Sequence, residues 1–192
     1  MKKIISALAI AAVSFASCNN ADNNNTEADV KADSSATAMQ SDNMEGQNET
    51  PMNGILTGYL QVKNALADDN ANDAANGGKA ISEAMAKLDR SSLPEAQAKA
   101  YNAVADDLKE HAQHINENSG KIDHQREHFE MLSQDVYDLV KSFDKTQTLY
   151  KDFCPMANNN KGAFWISETK EIKNPYLGQK MPTCGEVKEE IK

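Results

Sequence analysis

Soft-metal coordination is the first chemistry these residues raise. Positions 153–185 read F-C-P-M-A-N-N-N-K-G-A-F-W-I-S-E-T-K-E-I-K-N-P-Y-L-G-Q-K-M-P-T-C-G and hold two of the three cysteines, the single tryptophan and two of the eight methionines. Cys154-Pro155-Met156 opens the stretch and Met181-Pro182-Thr183-Cys184 closes it. A fold that brings these ends together gathers two thiols and two thioethers, the donor set that selects Cu(I) or Ag(I) over hard cations. Trp165 would then pack its ring over the ion, or simply fill the core. The same cysteines in an exported chain would form a disulfide. Closing that loop would stabilise the fold by about 3–4 kcal/mol. Spacing alone leaves both readings open.

Histidine supplies a second candidate set. All four histidines fall between positions 111 and 128. His124 and His128 stand four apart, the spacing that lets two imidazoles on one helix meet one ion. Counted outward from Gly120, which would end one helix and open the turn to the next, His114 and His124 reach one level and His111 and His128 another. At 100° per residue, His111 and His128 lie at the borders of their apolar stripes, while His114 and His124 point further toward water. Ordinary surface histidines are the alternative. Gln125 and Arg126 fall inside the apolar stripe, so both need partners; carbonyl capping by Arg126, with the C-terminal loops as the source, is the expected structural role.

Enzymatic signatures are missing. Cys154 precedes Pro155, without the helix N-terminus or adjacent base that activates a thiol. No nucleophile elbow, phosphate loop, dinucleotide fingerprint or C-x-x-C occurs, so the chain reads as a non-enzyme.

Four segments with helical periodicity would position these residues. The first follows Pro51, with Ile55, Leu56, Tyr59, Leu60, Val62 and Leu66 on its stripe. The second is strongest over 79–88, because Asn76-Gly77-Gly78 interrupts its first half. The third covers 94–118 and the fourth 121–143, with Phe129, Leu132, Val136 and Leu139 inward. Short joints imply an all-α fold: an antiparallel four-helix bundle with a loop-rich C-terminal extension. No strand pairing is expected before position 160, and Ala163-Phe164-Trp165-Ile166 is the one short strand expected in the extension.

The N-terminal residues read as an address. Lys2 and Lys3 precede thirteen residues without charge, 4–16, and Cys18 follows Ala16-Ser17. Small residues directly before a Cys resemble a lipoprotein signal, with cleavage after residue 17 and a lipid on Cys18. Residues 18–50 lack aromatics and are rich in Asn, Asp, Ser and Thr, so they form a disordered tether. Residues 51–192 form one domain. The net charge of −9 and a mere two arginines exclude nucleic acid as a partner, since that needs clustered basic residues.

Three segments carry a resemblance: I-D-H-Q-R-E-H-F-E-M-L-S, L-Y-K-D-F-C-P-M-A-N-N-N-K-G-A-F-W-I-S and I-K-N-P-Y-L-G-Q-K-M-P-T-C-G-E-V. Together they look like the domain of unknown function 3347 family over about residues 52–192. The resemblance implies small envelope lipoproteins, or added domains on Cus-type copper and silver efflux adaptors. It places Cys154, Met156, Met181 and Cys184 in the family's C-P-M and M-x-x-C-G, and His124, Arg126 and His128 in its H-Q-R-x-H. Ala157 stands where the short metal-binding domains of such adaptors continue with His. The expected function is therefore a lipid-anchored envelope protein that binds Cu(I) or Ag(I) through Cys154, Cys184 and Met156 or Met181, with His128 and His124 as further ligands. It would buffer the ion or pass it to an efflux adaptor. The alternative is a structural or interaction module stapled by Cys154–Cys184.

Overall fold

The computed structural model describes residues 51–144 and 147–192. The expected signal peptide, the lipid-bearing Cys18 and the tether lie outside the described residues. Four long helices come first: α1 (Pro51–Ala67), α2 (Ala71–Lys87), α3 (Glu95–Glu117) and α4 (Ile122–Ser142). Each long helix packs on the next, and α4 packs back on α1. Their apolar stripes form one core that includes Ile55, Tyr59, Ile81, Leu108, Ile115, Phe129, Leu132 and Leu139. None of these helices is long and apolar enough to cross a membrane.

Local signals explain where the helices start and stop. Asp69 takes a positive φ of 56°, which a short polar side chain tolerates, and turns the chain out of α1. Asn70 then caps α2 by accepting the backbone N–H of Asp73 at 3.1 Å. Pro94 precedes α3, where its missing N–H leaves no donor to satisfy.

Asn76-Gly77-Gly78, expected as an interruption, sits inside α2 and lets it pack closely. A Cβ on Gly77 would lie 2.8 Å from the backbone nitrogen of Val62 in α1. One on Gly78 would lie 2.6 Å from the carbonyl oxygen of Ala112 in α3. The glycines therefore trade helix propensity for backbone contact on two sides. We expect Gly78→Ala to lower stability by about 2 kcal/mol in urea unfolding, because the overpacking penalty exceeds the ~1 kcal/mol propensity gain.

The C-terminal part corrects the all-α expectation. Residues after α4 form a three-stranded antiparallel sheet in the order β2-β1-β3, with β1 at Leu149–Cys154, β2 at Ala163–Ser167 and β3 at Glu186–Ile191. β1 and β2 pair with Asp152 opposite Trp165 and Cys154 opposite Ala163. The turn between them places Asn158, Asn159 and Asn160 at positive φ. Strand β2 packs on α4 and α1. Tyr59 of α1 accepts the backbone N–H of Ile166 at 2.9 Å, and its hydroxyl lies 2.8 Å from Ser133 Oγ of α4.

Candidate metal centre

Helices α3 and α4 meet at the turn around Gly120, and the antiparallel pairing brings all four histidine rings together. His114 and His128 stack with centroids 4.2 Å apart and planes 10° from parallel. His124 meets His128 edge-on at 4.7 Å, and His114 meets His124 at 6.0 Å. His111 stands beside His128, with their Nδ1 atoms 3.2 Å apart. One ring nitrogen from each of His114, His124 and His128 lies within 4.8 Å of the other two. All four residues are half-buried, with the His124 side chain 39% exposed.

Burial favours the neutral ring at His128 and at His111. His128 is lowered to about 4, first by burial and then by the neighbouring His114, His124 and His111. His111 is also lowered by burial, against the pull of Glu110 and Asp107. His124 holds Glu127 Oε2 at 3.1 Å through Nδ1. That contact engages Nδ1 and leaves Nε2 as the ring nitrogen available to an ion, the carboxylate–histidine arrangement common at metal sites. Two nitrogens on one tetrahedral ion at 2.0–2.1 Å stand about 3.3 Å apart. The three rings must therefore draw together on binding, and the parallel stack of His114 on His128 must open, because lone pairs lie in the ring planes and parallel rings do not converge. Ring rotation about χ2 meets little resistance at half-exposed positions.

The sulfur set is arranged otherwise. Cys154 and Cys184 form a disulfide, with Cα atoms 5.8 Å apart, so the two thiolates expected for Cu(I) are joined to each other. Met156 and Met181 are 45% and 38% exposed. Trp165 is fully buried and packs edge-on against Tyr176 at 6.0 Å, a core role. Among the described residues, the cluster with metal-ligand geometry joins His124 and His128 to His114 and includes neither cysteine. His114 and His111 were the members that the i, i+4 spacing alone did not find. Their signal was the count of residues outward from Gly120.

Arg126 and the amide nitrogen of Gln125 meet the partners their positions demand, while Gln125 Oε1 is buried without one. Arg126 Nε donates to the carbonyl of Pro175 at 2.9 Å, and its guanidinium also donates to the Leu66 carbonyl at 3.0 Å and pairs with Asp69. That pairing, with a further hydrogen bond from the Gln179 N–H, holds the Asp69 carboxyl below its usual range. Gln125 is fully buried and donates to the carbonyls of Ala71 and Ile115, both at 2.9 Å. These two residues lock the start of α4 to α1, α2, α3 and the C-terminal loop, fixing the backbone that carries His124 and His128.

Comparison with known proteins agrees on the helical part. A search of curated proteins and one of solved structures return no match. The family model described as "Protein of unknown function (DUF3347)" matches residues 55–148. The match ends just before β1, so the Cys-Met motifs that shared in the expected resemblance lie beyond it. The match to the DUF3347 family takes in nearly all of the four long helices and all four histidines.

Proposed function

We propose that this chain is a lipid-anchored protein of the cell envelope whose helices form an antiparallel four-helix bundle that holds a metal ion in the imidazole cluster. Copper is the leading ion, to be buffered or passed to efflux machinery. The observation that carries this reading is the convergence of His114, His124 and His128 nitrogens within 4.8 Å. Imidazole nitrogen suits copper, zinc and nickel, and among divalent ions copper binds such donors most tightly. The metal proposed is still copper, but three imidazoles suit the divalent ion instead of the soft Cu(I) or Ag(I) expected from the sulfur set, and nitrogen takes the place that the disulfide denies to thiolate. The residues present fit the ion in number and type: three imidazoles and one open position suit transfer, since an incoming ligand can enter before the last histidine leaves.

The disulfide favours a second role that does not exclude the first. Cys154–Cys184 supports the reading of the C-terminal sheet as a stapled interaction module. The test separates the two. In copper or zinc titration of the full chain, the His114→Ala/His128→Ala double variant should lose at least about 100-fold in affinity with unchanged helicity. Cys184→Ser should keep it. Equal affinity in the double variant and the parent would leave the stapled module as the surviving reading.

A further inference from the structure

His111 stands outside the group of three nitrogens, yet its ring is in hydrogen-bond contact with one of the three residues. Its Nδ1 lies 3.2 Å from Nδ1 of His128. Two neutral imidazoles at that separation share one proton, so one ring donates N–H and the other accepts. The neighbouring histidine shows the pattern. His124 engages Glu127 through Nδ1, leaving Nε2 available to an ion. For His128 the residue in Glu127's place is His111, which comes from the facing helix.

Resting on the metal-binding reading above, we propose that His111 is the positioning residue of the site: it accepts the Nδ1–H of His128 and so aims the His128 Nε2 lone pair at the ion. The consequence is directional. If His111 were instead the donor, His128 would carry its proton on Nε2 and present no lone pair to the other two rings. Ordering of a ligand by such a contact is worth 10–100-fold in metal affinity at comparable sites.

Zinc serves as the probe, because it is diamagnetic and takes imidazole nitrogen. With full-length protein, His111→Ala should weaken zinc binding about 10–100-fold. His111→Asn, whose side-chain oxygen replaces the Nδ1 acceptor, should restore affinity to within a few-fold of the parent. Nitrogen-15 NMR of the metal-free protein should show His128 protonated at Nδ1, and the zinc-bound spectrum should show Nε2 as the ligated atom. Unchanged affinity in His111→Ala, a loss that Asn does not restore, or zinc on Nδ1 of His128 would each overturn the assignment while leaving the metal site standing. A parent protein that takes no zinc and no copper would overturn the site itself, and the role of His111 with it.

Discussion

Cys184→Ser lowers the stability of the folded domain by about 3–4 kcal/mol and its melting temperature by about 10 °C. The expectation follows from the span of the loop. The bridged residues are 30 apart in sequence, and cross-linking removes that closure entropy from the unfolded chain. The folded state has its own reasons to need the link. Cys154 ends β1 and Cys184 lies just ahead of β3. Within the enclosed loop, the stretch between β2 and β3 relies on a few polar contacts beside the buried Tyr176 ring. Asn174 accepts the N–H groups of Tyr176 and Leu177 and donates to the Cys184 carbonyl, while Arg126 reaches in from α4. Substituting Cys184, the partly exposed member, leaves Cys154 buried as a small apolar thiol and adds no polar atom to the core. Thermal melts of parent and variant, with the parent also measured in reductant, test this. Equal melting temperatures without reductant would remove the staple. So would titration of thiols from Cys154 and Cys184 in the unfolded, unreduced parent.

Helices were legible where one physical signal dominated. The stripes of α1, α3 and α4 recur at three- and four-residue steps, and the residues on them are the ones buried. The Asn-Gly-Gly of α2 misled because propensity registers the loss of a side chain but not the backbone contacts that loss permits. Strand β1 went unseen for a different reason. Its Lys151-Asp152 pair reads as surface, yet Asp152 is fully buried beside Trp165. Strand β3, E-V-K-E-E-I, is an edge strand whose charged residues face solvent and discourage further pairing, so its composition hides its conformation. For the site, the outward count from Gly120 placed the histidine levels, because helix rise is fixed. The mirror symmetry of the Cys-Met motifs did bring the cysteines together, but proximity alone does not choose between thiolate ligands and a disulfide.

Asp152 should give the fold a large pH effect. Its carboxyl is buried under the sheet and pushed up to about 7, first by desolvation, with Lys63 and the Trp165 indole opposing and Glu168 adding to the rise. Lys63, itself buried, gives its ammonium to Glu168 at 2.6 Å, so Asp152 is the acidic group left over. Between the unfolded value of 3.8 and about 7, the folded protein retains a proton that the unfolded chain has released. Stability from this residue is therefore complete below about pH 4, falls as pH rises through 7, and stays low above it. Asp152→Asn keeps the shape and removes the titration. Relative to the parent, it should gain stability from pH 4 upward, reaching on the order of 2–4 kcal/mol at pH 8. Asp135, raised to about 7 by burial and by Asp107 and Asp138, slopes the same way, whereas the lowered His111 and His128 slope oppositely. Whole-protein pH curves blend these contributions, but the difference between parent and Asp152→Asn isolates one residue because the other groups are present in both. Urea unfolding at pH 4, 6 and 8 reads that difference directly. A constant gap across the three pH values, or a loss that is largest at pH 8, would mean that Lys63 keeps Asp152 ionised and that the sheet rests on the helices through a buried charge cluster instead of a neutral acid.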